Sequence, residues 1–461
     1  MIPAIKTFFK CMIEGKYLHC MTTKNQLGLF DLTMIVIGLV IGMGIFRTAT
    51  DSAQASLTPG IYFAAWMVGG LVALCGALTY AEIGSRFPVT GGYYKIFAEC
   101  YHPSVAFAIN CIILISNAAS LAGVALIGSE YISQLLFHEP PGDFTKALIA
   151  MGAVTVFYGV NLAGLRMSSK TQNVLMVIKI TMVLVLVGSL FLPGHPVMES
   201  TVAPGTYSMQ EMIRSFGVAL IAVSFTYGGY QQSINFGDEV REPRKTIPRG
   251  IFIGILTIIG LYLTVQFAYV HTIGFEQLKQ TRGIAAVVAE RMFGPTGKTV
   301  FTVFLFLAVL AYVNVLLLSN PRVMYAMSKD GILPKAFAQK NEEKDVLTVS
   351  LTVFAAICII VLFFMNTFDK ILGFTIFLDS IGMATSAATI FILRKRTRHL
   401  DGTGIYTMKL FPVMPVIFIL AYVFVGTSIF INTPDLALTA LAVFAAFLLL
   451  YFTVIRKPGR P

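Results

Sequence analysis

Apolar runs long enough to cross a bilayer recur along the whole chain, separated by short polar joints. A spanning helix needs roughly 20 predominantly apolar residues. The runs predict twelve spans: 31–55, 60–85, 102–137, 144–161, 168–192, 209–238, 247–272, 297–328, 346–366, 369–393, 410–431 and 434–455. The joints are too short to hold a soluble domain and contain no low-complexity segment. The pattern is that of an all-α polytopic protein whose solvent is the lipid bilayer.

Composition agrees. Of 461 residues, 56% are hydrophobic and 12% charged, with a mean hydropathy of +0.78. Soluble domains carry roughly 25% charged residues. The net charge of +11 would suggest nucleic acid in a soluble protein, but no basic motif sits in a folded soluble segment. Lys and Arg instead gather in cytoplasmic loops of membrane proteins. Of the 34, 25 fall in the tails and in the loops after even-numbered spans, against eight on the other side. That bias puts both termini in the cytoplasm and the protein in the cell membrane. Residues 1–30, which lack a signal-peptide layout, and residues 456–461 read as cytoplasmic tails. The six Cys form no disulfide framework or zinc spacing, and the six His are scattered. No catalytic constellation, metal site or cofactor motif is present, so an enzyme is not expected.

Two spans are marked near their middles by glycine pairs. Span 1 carries Val40, Ile41, Gly42, Met43, Gly44 and Ile45; span 6 carries Phe225, Thr226, Tyr227, Gly228 and Gly229. Glycine permits backbone that interrupts a helix. A mid-bilayer interruption bares peptide groups, which is tolerated only where they line a cavity or bind something. A single glycine pair is equally a close-packing device. Two, at the first span of 31–192 and the first span of 209–393, point to a carrier built from inverted repeats, with 410–455 appended. Broken ends offer N–H groups to an anion and carbonyls to a cation. A free α-amino acid presents both charges close together.

These residues resemble the amino acid–polyamine–organocation superfamily, and within it bacterial relatives of the L-type amino-acid transporters. Gly42 to Phe46 is similar to that group's first break, and Phe225 to Gly229 to its second. The run Gly76 to Gly84 with Pro88, Gly91, Gly92 and Tyr93, the segment Glu239, Pro243 and Pro248, and Pro321 to Pro334 complete an ordered set. The resemblance implies a LeuT-type fold of five plus five inverted spans and two more. It implies that N–H groups around Met43, Gly44 and Ile45 hold the substrate carboxylate. Carbonyls near Val40, Phe225, Thr226 and Gly228 would hold the ammonium, with Phe225 closing over the substrate. Met43 departs from the group's Ser. The segment Gly404 to Lys409 departs from Arg-Pro-Tyr-Lys-Val-Pro, which puts one cytoplasmic contact in doubt. The loop from His138 to Lys146 lacks the cysteine that tethers an accessory subunit in eukaryotic members, so no disulfide-linked partner is expected.

Charges inside the spans are the remaining candidates. Lys179, midway along span 5, would cost roughly 2.5–3.5 kcal/mol at a helix centre and is badly placed to snorkel. Its ammonium is expected to stand where a sodium ion would, holding the first break to span 8; the resemblance supports this, since sodium-independent members carry Lys there. Arg47 lies about 5 Å outward of Gly44 and Asp379 about 15 Å into span 10, depths compatible with an outer-gate ion pair. Glu82, Arg86 and Glu239 read as inner-gate or loop contacts. Asn117 and Ser120 are candidate readers of the substrate side chain, with core packing the alternative, and Tyr227 and Tyr230 read as packing. The leading function is a sodium-independent amino-acid permease, an exchanger or proton-coupled, working by alternating access. A polyamine or organic-cation carrier and a non-transporting amino-acid sensor are the alternatives.

Overall fold

The computed structural model describes residues 27–455 apart from 43, 138, 140, 196, 198–206, 282 and 365–367. The first span is two helices, α1 (Leu29–Val40) and α2 (Gly44–Ala55). There follow α3 (Pro59–Arg86), the short α4 (Gly92–Cys100), α5 (Pro103–Leu136), α6 (Asp143–Leu162) and α7 (Leu165–Val187). α8 (Met209–Tyr227) ends in an irregular pair of residues and a 3-10 segment, Tyr230–Asn235. The chain continues through α9 (Pro243–Ile273), α10 (Phe275–Gln280), α11 (Ile284–Lys329) and α12 (Thr348–Phe364). It closes with α13 (Phe368–Arg396), α14 (Val413–Asn432) and α15 (Pro434–Leu450).

Eleven of these units are long and apolar enough to cross a membrane, and α12 is a shorter apolar helix in the remaining position of the expected twelve. Among the described residues there is no β-strand, only isolated bridges. Three helical pieces escaped the hydropathy pattern: α4, α10 and the first turns of α11. Each is too short and too polar to register as a span. The last of these is set off by Gly294, whose φ of 70° and ψ of −164° break α11 before Pro295 restarts it.

Local chemistry fixes where the helices begin. Gly28 N–H donates to Asp31 at the start of α1, Thr58 caps α3 with Pro59 at its first position, and Ser208 and Glu211 form a reciprocal capping box on α8. Apolar burial cannot hold helices together in lipid, so small residues and shape do that work. Val36 packs so close to Gly254 of α9 that an added Cβ would lie 2.6 Å from Val36 Cγ1. Gly76 of α3 meets Tyr230 and Phe418 in the same way. The discontinuous first span and α5 form the interior, with 76% and 83% of their apolar windows buried, against 11% for α15 at the periphery.

The face that carries most of the Lys and Arg is cross-linked by ion pairs. Glu82, fully buried, accepts from Arg86 Nε (2.7 Å), from Arg394 Nε and Nη2 (2.8 and 2.7 Å) and from the Met408 N–H (2.8 Å). Tyr406 N–H reaches Ser85 Oγ at 2.8 Å. The unusual segment Gly404 to Lys409 therefore keeps its contact with the bundle through main-chain groups, which its changed side chains do not disturb. Nearer the centre, Arg322 Nε lies 3.0 Å from both oxygens of Glu239 and stacks over Phe236. Burial pushes the Glu239 carboxyl above the usual carboxylate range, and the Arg322 charge opposes that shift. Lys95 pairs with Asp330. These contacts close that face beneath the interrupted helices.

Candidate functional site

α1 stops at Val40. Ile41 N–H still reaches Ile37 O (2.7 Å), Gly42 N–H turns back to Val40 O (2.7 Å), and α2 begins at Gly44. Met43 lies outside the described residues. The first N–H groups of a helix have no partner four residues back, so the start of α2, at Gly44 and Ile45, presents bare donors and a positive dipole end. α8 stops at Tyr227, Gly228 N–H reaches only Phe225 O (3.3 Å), and Gly229 takes φ +111°. A Cβ on Gly229 would fall 2.2 Å from Leu39 O, so the two breaks touch through their backbones. Across the other halves, Gly44 packs on Thr226, and the hydroxyls of Thr48 and Thr226 are hydrogen-bonded.

The carbonyls at the breaks have specific partners. Lys179, 1% exposed, donates its ammonium to Ile41 O. Tyr262 of α9, fully buried, places its hydroxyl 3.1 Å from Val40 O and 3.2 Å from Thr226 O. Val40 O thus receives both the Gly42 N–H and the Tyr262 hydroxyl, which uses its two lone pairs. Val40 itself lines the cavity, and its carbonyl shares the single Tyr262 proton with Thr226 O. Phe225 and Gly228 remain at the cavity as carbonyl candidates. One phenolic proton bridges both broken helices, so Tyr262→Phe removes that donor from both carbonyls and leaves Val40 O with the Gly42 N–H alone. A buried acceptor left unpaired costs about 1–3 kcal/mol. Tyr262→Phe is expected to lower substrate turnover about tenfold in a vesicle assay while changing the expression level little; unchanged turnover would show the bridge to be dispensable.

Around the breaks lies a cavity. Val40, Gly42, Gly44, Phe225, Thr226 and Gly228 form one wall. Opposite are Asn117 and Ser120 of α5, Tyr312 of α11, and Asp379 and Met383 of α13. Ile41, Ile45, Lys179 and Arg47 do not line it; Lys179 supports the first break from behind. Asn117 is tied down, donating to Asn320 Oδ1 (2.6 Å) and accepting from Gln232 Nε2 (3.0 Å). Ser120 and the Tyr312 hydroxyl are 2.8 Å apart. Asp379 accepts from Ser116 Oγ at 3.1 Å.

Among the described ion pairs none joins Arg47 to Asp379. Asp379 has Ser116 as its hydrogen-bond partner, while Arg47 lies near Tyr131 of α5. Equal depth along two helices does not fix azimuth. Sequence reasoning missed Ser116, Gln231, Gln232, Tyr262, Tyr312, Met383 and Tyr422. Ser116 and Ser120, four residues apart on α5, share a helix face and could have been read together. Gln231 and Gln232 follow the glycine pair after one residue, Tyr230, a polar pair in an apolar span. Tyr262 carries no local signal. Among the described residues no cluster of His, Cys, Asp and Glu is placed to hold a metal ion.

The family model of amino acid permeases matches residues 27–454. The chain is similar to the serine/threonine exchanger SteT of Bacillus subtilis (strain 168), 26% identical over 91% of this chain and 94% of that protein. It is similar to the cystine/glutamate transporter of Homo sapiens, 28% identical over 80% of this chain and 74% of the relative. Asc-type amino acid transporter 1 of Mus musculus is 23% identical over 89% of this chain and 77% of the relative.

Proposed function

Since the chain belongs to the amino acid permease family and is a multi-pass membrane transporter of amino acids, not an enzyme, we propose that it is a sodium-independent secondary-active carrier. It binds a free α-amino acid between the two broken helices. The single observation that carries this is the pair of interruptions meeting at one cavity, with Gly44 donors on one side and Phe225 and Gly228 beside it. The carboxylate takes the start of α2, and the ammonium takes carbonyls of the second break. Phe225 covers the bound molecule.

Residues 31–192 and 209–393 form the two inverted repeats, and 410–455 an appended pair of spans. Exchange is the favoured mode, because the named relatives include an exchanger and because a fixed ammonium, that of Lys179, stands on the first break where a co-transported cation would otherwise be needed. The charge bias supports cytoplasmic termini and a cell-membrane location, and on that reading the closed, ion-paired face is the cytoplasmic one. Alternating access then requires that face to open as the other closes.

The test is counterflow in liposomes holding the purified protein, with each common amino acid inside and out. Accumulation of label against an unlabelled internal amino acid, equal with and without sodium, is the expected result. Binding without any accumulation would favour an amino-acid sensor, and a strict need for sodium would remove the role given to Lys179.

A further inference from the structure

The cavity holds one charge that main-chain recognition leaves unused. Asp379 is the only ionisable acid or base among the described residues that line it, tyrosines apart. It is half-buried, accepts a single hydrogen bond from Ser116 and belongs to no ion pair among the described residues. Lys179 donates to Ile41 O behind the cavity wall, and neither it nor Arg47 lines the cavity. Its neighbours on the cavity wall, Ser120, Tyr312 and Tyr422, are neutral.

We propose that this cavity takes an α-amino acid with a positively charged side chain, and that Asp379 is the residue that selects it. The inference rests on the reading of the breaks as the seat of the substrate's carboxylate and ammonium. Those two charges cancel, so a neutral amino acid leaves the Asp379 carboxylate with one donor as water is expelled. Burying an ionised carboxylate without a partner is strongly unfavourable. An aliphatic side chain cannot relieve it, and an acidic one sets like charges together. A side-chain ammonium or guanidinium makes the filled cavity electrically neutral and supplies charge-assisted hydrogen bonds.

The geometry suits the length of such a side chain. Met383 of α13 approaches the second break, its methyl 3.9 Å from where a Gly228 Cβ would stand. Asp379 is four residues earlier on the same helix, about 6 Å further from the ion-paired face, an offset within reach of a side chain of lysine or arginine length. Tyr312 covers the intervening wall: its ring is 3.2 Å from a Cβ on Gly42, and its hydroxyl is held by Ser120. An aromatic face of this kind accommodates the methylene stem of a long cation and attracts its charge.

The experiment is the same counterflow assay, run with lysine, arginine, ornithine, serine, glutamine, leucine and glutamate, on the native protein and on Asp379→Asn. For the native protein, uptake of the three cationic amino acids at least tenfold above leucine and glutamate is expected. In Asp379→Asn the ratio of lysine to glutamine uptake falls at least tenfold, and Asp379→Glu restores the cationic preference. A native protein that prefers neutral or acidic amino acids overturns the inference without any variant being needed. So does an equal loss of every substrate in a monodisperse Asp379→Asn protein. In those cases amino acids still cross and the carrier reading stands. If no amino acid crosses under any condition, that reading falls and takes this one with it.

Discussion

Lys179→Ala is expected to abolish amino-acid transport while the protein still folds. The ammonium is buried at mid-span, and its partner is the carbonyl of Ile41, in the interruption itself. Removing it leaves a bare acceptor at the point where α1 ends and opens a void where the side chain ran. Each 1.4 kcal/mol is a factor of ten, and an unpaired buried acceptor costs about 1–3 kcal/mol. Loss of the local geometry adds to that, because reacting or binding groups misplaced by a fraction of an ångström recognise their ligand poorly. A fall of about a hundredfold or more is expected for every substrate alike, since the lysine acts on the backbone and does not read a side chain. Counterflow, with size-exclusion profiles of the same preparations, measures it. A folded Lys179→Ala protein with near-native uptake would reject the role.

Gly229→Ala is the second large effect, and it acts on stability and transport together. At φ +111° an L side chain is strained, by about 1–3 kcal/mol. The new Cβ would also stand 2.2 Å from Leu39 O, a backbone atom of the other broken helix with no freedom to turn aside. The two breaks must then separate, which dismantles the cavity. Gly228 is the internal comparison. Its φ is −74°, and its Cβ would meet nothing closer than 3.4 Å. Thermal unfolding in detergent should show a clear drop in midpoint for Gly229→Ala and little for Gly228→Ala. Equal midpoints would mean that the breaks do not need to touch.

The spans were legible because lipid leaves no alternative: about 20 apolar residues per crossing is a constraint on every helix. The breaks were legible because two glycine pairs stand at corresponding mid-span positions of 31–192 and 209–393. α4 and α10 were not, being short, amphipathic and stabilised only by what they pack on. The partners of the carbonyls were harder still. Tyr262 is far in sequence from Val40 and looks like any aromatic in an apolar helix, yet its hydroxyl donates to the Val40 carbonyl. The Arg47–Asp379 pairing is hard to read from sequence for a related reason. Rise per residue gives depth, whereas the direction a side chain takes around its helix depends on neighbours that sequence spacing does not locate.

Competition by analogues with one main-chain charge removed goes to the heart of the mechanism. The best-carried amino acid is compared with its methyl ester, its N-acetyl form and the amine left when the carboxyl is lost. Each charge-assisted hydrogen bond contributes about 1.5–3 kcal/mol. If the start of α2 and the carbonyls of the second break hold a zwitterion, none of the three analogues displaces labelled substrate, even in large excess, while the unlabelled parent does. Displacement by the ester or the amine as effective as by the parent would mean that the broken helices do not bind the amino-acid head group.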